Sequence, residues 1–70
     1  MKKAIGKAIK IMRVKEELRQ QDLADHSGLS QVTIANMENG TGQRIENLVA
    51  VCQVFEISLS DLIILAEEMV

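Results

Sequence analysis

The stretch from Gln20 to Gly40, QQDLADHSGLSQVTIANMENG, constrains this chain more than any other. It predicts a helix over residues 20 to 27, a tight turn at Gly28, and a second helix over residues 31 to 39 closed by Asn39 and Gly40. Each residue type has a physical reason. Ala24 is small, so the second helix can cross close over the first. Gly28 can take a positive φ, which a sharp turn between helices needs. Ser30 can accept a hydrogen bond from a free N–H of the helix it opens. Leu23, Ile34 and Met37 can then point into one core, which leaves Gln31, Val32, Thr33 and Asn36 on the outside.

Two short helices around a glycine turn form the unit that places its second helix in the DNA major groove. The outward residues suit that task. Gln31 and Asn36 can each make paired hydrogen bonds with adenine, and Val32 can pack on a thymine methyl. Thr33 can bond to a base or a phosphate. Any solvated helix also shows a polar outer face, so these side chains alone do not decide the matter.

The stretch resembles the helix-turn-helix of the Cro/phage-repressor (XRE) family. The residues carrying the resemblance are Gln20, Leu23, Ala24, Gly28, Ser30, Ile34, Glu38, Asn39 and Gly40. It runs from about Ile5 to Leu62, with a matching helix before the motif and two after it. It implies an all-α fold: a compact, five-helix, lambda-repressor-like helix-turn-helix domain over residues 1–70, with the motif at about 20–39. The resemblance also implies roles. Gln20 would meet DNA phosphate at a helix N-terminus, where free N–H groups and the dipole favour anions. Arg13 would pair with Glu38 and tie the first helix to the third. Thr41, Gln43 and Arg44 would run along the DNA backbone. The chain departs from the family at Arg19, where a capping Ser, Thr or Asn is usual; an arginine there can touch phosphate instead. Ser27 replaces a larger apolar residue, and Glu56 replaces a glycine expected in a left-handed turn.

Around this motif, Ile5, Ala8, Ile9 and Met12 recur at helical spacing and predict a helix over residues 3 to 17. Lys3, Lys7, Lys10 and Lys15 lie mostly off that face, either as a solvated surface or as a phosphate-facing rim. A fourth helix is expected over residues 45 to 55, with Ile45, Leu48, Val49, Cys52 and Phe55 as its core stripe, broadened by Val51 and Val54. Ser58 with Asp61 three residues on starts a fifth helix, about 59–68, in the manner of a capping box. Leu59, Leu62 and Ile63 can complete the core. Ile64, Leu65, Met69 and Val70 exceed what one small core can use, which points to a homodimer contact.

Charge bears on the partner. The net charge is −2, which is low for a DNA binder. Residues 1 to 20 hold seven Lys/Arg and two Asp/Glu, whereas residues 21 to 70 hold one and eight. Phosphate binding needs a local basic patch, not a basic protein. With one aromatic residue, Phe55, there is no stacking platform for single strands.

Other classes have little support. One His and one Cys cannot form a zinc site, and Cys52 reads as a small buried thiol. No catalytic set and no glycine-rich phosphate loop occurs, so neither an enzyme nor a cofactor is expected. No apolar run reaches a membrane span, which leads to a cytoplasmic expectation. The expectation is a sequence-specific, double-stranded DNA-binding transcription regulator, homodimeric on a palindromic site, with no small-molecule ligand. The alternative is an antitoxin-like or adaptor module that keeps the fold but binds DNA weakly or not at all.

Overall fold

The computed structural model describes residues 1–69; Val70, part of the expected dimer contact, lies outside them. Five helices follow in order: α1 (Lys2–Lys15), α2 (Gln20–Ser27), α3 (Gln31–Glu38), α4 (Ile45–Val54) and α5 (Leu59–Glu68). α1 packs on α5 and α3, α2 on α3 and α4, and α4 on α5. Every helix sends residues into one core: Ile5, Ala8 and Ile9; Leu23 and Ala24; Ile34 and Met37; Leu48, Val51 and Cys52; Leu62 and Ala66. Ile9, Leu23, Ile34, Met37 and Leu62 are wholly enclosed. Each contributes roughly 1.5–3 kcal/mol by leaving water, and a domain this short has few such residues to lose. Among the described residues, no single helix is long and apolar enough to cross a membrane.

The ends of α1, α2, α3 and α4 share one device. A residue with positive φ follows the helix, and the N–H beyond it returns to a carbonyl of the last turn. The returning bonds are Leu18 N–H to Arg13 O, Leu29 N–H to Ala24 O, Thr41 N–H to Asn36 O and Ile57 N–H to Cys52 O. Gly28 (φ 76°) and Gly40 (φ 96°) fill the turning position of α2 and α3 without strain. Glu17 (φ 58°) and Glu56 (φ 55°) fill it after α1 and α4, where a Cβ crowds the following carbonyl. The glutamate at 56 was expected there; the one at 17 was not.

The helix starts differ. Ser30 accepts the Thr33 N–H at 3.1 Å, and Ser58 accepts the Asp61 N–H at 3.0 Å while Asp61 accepts the Ser58 N–H at 3.0 Å. α2 has only the second half of such a box. Asp22 accepts the Arg19 N–H at 2.8 Å, but a guanidinium has no lone pair to return. α1 has no side-chain cap and no acid in its first turn, where Lys2 and Lys3 stand. Each cation at that end of the dipole costs about 0.3–1 kcal/mol.

Two sequence expectations need correction. The sequence spacing puts Ile45 and Val49 in the core stripe of α4, yet they are 63% and 38% exposed. The buried stripe is Leu48, Val51 and Cys52. Apolar residues surround most of α4, so periodicity alone gave no unique inner face. In α5, Leu65 and Met69 pack partly against the protein's own core. Of the described residues expected at the dimer contact, only Ile64 stands well out, 55% exposed.

Candidate nucleic-acid interface

α3 is held from behind by Ile34 and Met37, both wholly buried. That sets its rotation. Gln31, Val32 and Asn36 are exposed, with Val32 at 68%. Among the described residues, no hydrogen bond ties the side chain of Gln31 or Asn36 to the rest of the fold, so their donors and acceptors face solvent. Thr33 is half-buried and its hydroxyl lies 2.9 Å from Ser30 Oγ, so it belongs partly to the cap. Thr33 and Asn36 share a surface cleft with Gly42, Arg44, Glu46 and Asn47. The loop after α3 thus lies beside the outer face of that helix.

The far end of α3 is anchored by charge. Arg13 Nε donates to Glu38 Oε2 at 2.7 Å and Nη2 donates to Oε1 at 3.1 Å. Its Nη1 donates to the Leu18 carbonyl at 2.8 Å. Gln20 Nε2 also donates to Glu38 Oε1, at 3.1 Å. The Gln20 side chain, expected to meet phosphate, therefore already has one partner inside the fold. Its position at the start of α2 still leaves the first N–H groups of that helix without intrahelical partners. Gly6 allows the close approach of α1: a Cβ there would lie 2.4 Å from the Glu38 carbonyl oxygen and 2.6 Å from that of Met37.

The expected phosphate contacts separate into two groups. Arg44 is well exposed, 4.0 Å from Glu46. Arg19 is exposed but folded over Asp22, with its Nη2 3.0 Å from Oδ1. That hydrogen bond holds the Asp22 carboxyl down to about 2 and raises the Arg19 guanidinium further. A phosphate at Arg19 has to share its charge with Asp22. Thr41 and Gln43 are committed internally. The Thr41 hydroxyl donates to Asn36 O at 3.1 Å. Gln43 Nε2 donates to Lys2 O at 2.7 Å and to Met37 O at 2.8 Å, which uses both amide protons. Its Oε1 is buried with no partner. The Gln43 side chain is a bracket between the loop, the start of α1 and the end of α3, not a free phosphate donor. Its partner at Lys2 lies 41 residues away, and no local pattern could have revealed it.

Sequence reading also left open a basic cleft that the fold assembles. Lys3, Lys7 and Lys10 of α1 line it with Gln20, Glu38 and Asn39. Elsewhere, burial pushes the Cys52 thiol up, and the Ser58 N–H holds the Asp61 carboxyl down. Among the described residues, no group of three His, Cys, Asp or Glu could hold a metal ion.

The comparisons agree on the kind of protein. A family model described as helix-turn-helix matches residues 9–62. A competence pilus inhibition repressor of Acinetobacter baylyi is 38% identical over 66 residues, covering 93% of this chain. The chain spans 60% of that relative's length. Two crystal structures of the clp gene regulator ClgR from Corynebacterium glutamicum superpose with TM-scores of 0.85 and 0.84, each at 26% identity and each covering 97% of this chain. They are covered over 90% and 73% of their own lengths. With the five-helix order and the α2–turn–α3 geometry, these matches show that the chain belongs to the helix-turn-helix family, as an XRE/Cro-type DNA-binding regulator domain.

Proposed function

We propose that this protein is a sequence-specific, double-stranded DNA-binding transcription regulator that acts as a homodimer on a palindromic site. The observation that carries the reading is the outer face of α3. Gln31, Val32 and Asn36 are exposed on a helix whose other face is locked into the core. These side chains match the donors, acceptors and methyl groups of base edges in the major groove. Thr33 reads at the margin of that face. The first turn of α2 at Gln20, together with Arg19 and Arg44, positions the protein on phosphates, and Thr41 and Gln43 act through the backbone they hold in place. Ile64, with the exposed edges of Leu65 and Met69, supplies the contact between copies. Two α3 helices then enter successive major grooves about 10 base pairs apart. The names of the relatives, a repressor and a gene regulator, support a regulatory role.

Selection of random duplex DNA on the purified protein tests this reading. Enrichment of a two-fold symmetric site is the expected result. A folded protein that enriches no site sinks the proposal.

A further inference from the structure

α1 carries a charge pattern that its own fold does not balance. Residues 2 to 15 contain five lysines and one arginine and no acidic residue. Arg13 is buried against Glu38. Among the described residues, none of the five lysines lies in an ion pair; the pairs are Arg13–Glu38, Arg19–Asp22 and Arg44–Glu46. Lys3, Lys7 and Lys10 are spaced four and three residues apart, so they lie on one side of the helix and repel one another. Lys2 and Lys3 also oppose the helix dipole. A stretch that breaks local rules this consistently has its compensation elsewhere.

The fold brings these lysines to a particular place. Lys3, Lys7 and Lys10 are exposed and line one cleft with Gln20, from the first turn of α2, and Asn39, from the end of α3. Among the described residues, the only acid lining that cleft, Glu38, is already held by Arg13 and Gln20. The cleft is therefore positive at the C-terminal end of α3, where Asn39 stands three residues beyond Asn36. Gly6 keeps it there, because α1 lies so close to the Met37 and Glu38 carbonyls that even a methyl group would not fit. From Lys3 to Lys10 the helix rises about 10 Å. One strand of duplex DNA places a phosphate every ~3.4 Å along its axis, so a stripe of this length can reach several phosphates of one strand.

The geometry points to a phosphate track on α1: Lys3, Lys7 and Lys10 bind the DNA backbone beside the groove that α3 enters, in addition to the contacts made by the helix-turn-helix itself. This inference rests on the function proposed above. It resolves the mismatch between an acidic protein and a polyanionic partner, since the cations that matter are gathered on one helix. Lys15 serves as an internal control. It lines a different cleft, with Met12, Glu16, Phe55 and Ile57.

The test is the salt dependence of binding to the selected site. The triple variant Lys3→Gln, Lys7→Gln, Lys10→Gln should lower the slope of log K against log salt by about 2.7, at ~0.9 per phosphate contact. Between 50 and 200 mM salt, the parent then loses about 40-fold more affinity than the variant. The ranking of operator base changes should not move, because phosphate contacts carry no sequence information. Lys15→Gln should keep the parent slope, and Lys→Arg at the three positions should restore it. Circular dichroism verifies that each variant is folded. A folded triple variant with the parent slope overturns the track and leaves the proposed function standing. A parent protein that binds no duplex DNA overturns both.

Discussion

The Arg13 guanidinium grips both carboxylate oxygens of Glu38 across 25 residues of chain, and the two side chains are only 11% and 4% exposed. This pair fastens α1 to the last residue of α3. A buried pair broken from one side leaves an unpaired charge, which costs about 3–5 kcal/mol. Arg13→Ala should therefore destabilise the domain by about 3 kcal/mol in urea unfolding, with the Leu18 carbonyl losing its donor as well. Removing both charges, as in Arg13→Met with Glu38→Met, should recover part of that loss. A single variant within 0.5 kcal/mol of the parent, roughly the level of an exposed pair, would show that the anchor lies elsewhere.

Gly6→Ala should destabilise despite the better helix propensity of alanine. The added Cβ meets two backbone carbonyls, which cannot swing aside as a side chain can. Alanine gains up to ~1 kcal/mol in propensity, while overpacking costs about 1–3 kcal/mol or more. The expected outcome is a lower thermal midpoint, measured by circular dichroism. An unchanged or higher midpoint contradicts the close approach of α1 to α3.

Glu17→Gly and Glu56→Gly should act in the opposite direction. Each glutamate holds a left-handed turn at φ near 55–58° that costs a side-chain-bearing residue about 1–2 kcal/mol. Glycine removes that cost but gives back roughly 0.5–1 kcal/mol in unfolded-state entropy. A net gain of about 0.5–1 kcal/mol per site is expected from equilibrium unfolding. A loss at either site means that the glutamate makes a compensating contact.

Gln31→Ala and Asn36→Ala should each weaken binding to the selected site by about 1–3 kcal/mol while leaving non-specific binding nearly unchanged. Fluorescence anisotropy on cognate and scrambled duplexes separates the two effects. Normal cognate binding by both variants would remove α3 from the reading role.

The Asp22 carboxyl offers a pH test. Its hydrogen bond with Arg19 lowers its folded value to about 2, against ~3.9 for a free aspartate. A depressed value means that the charged form favours the fold. That stabilisation is complete above about pH 4 and is lost as pH falls through about 2. Side-chain NMR titration should place the Asp22 midpoint near 2, and Arg19→Ala should move it upward. A midpoint that stays low without Arg19 would assign the shift to the backbone N–H instead.

How much could be read in advance depended on the range of each interaction. The Gly28 turn, the Ser30 cap and the Ser58–Asp61 box are contained within a few residues, so local chemistry reveals them. The left-handed turn at Glu56 came from the resemblance, and so did the association of Arg13 with Glu38. The inner face of α4 was misassigned because seven of its eleven expected positions are large apolar residues or cysteine, and only packing against α2 and α5 selects among them. The Gln43 bracket and the approach of Gly6 join segments more than thirty residues apart, or helix to helix, and leave no periodic trace. On the outer face of α3, outward orientation was legible. Which polar residues remain available was not, because Thr33, Thr41 and Gln43 look as uncommitted in a sequence as Gln31 and Asn36 do.

The two faces of α3 answer to different demands. Ile34 and Met37 are bound by the core and can change little, whereas Gln31, Val32 and Asn36 are exposed and, among the described residues, their side chains make no hydrogen bond to the rest of the fold. Replacements at those three positions are therefore close to neutral for folding. Under the proposed function such a scaffold is evolvable: lineages can drift to new target sequences without first acquiring stabilising mutations elsewhere. The same separation makes the domain a practical starting point for retargeting, in which a small library on one helix is screened against a chosen sequence while the rest of the chain is left untouched.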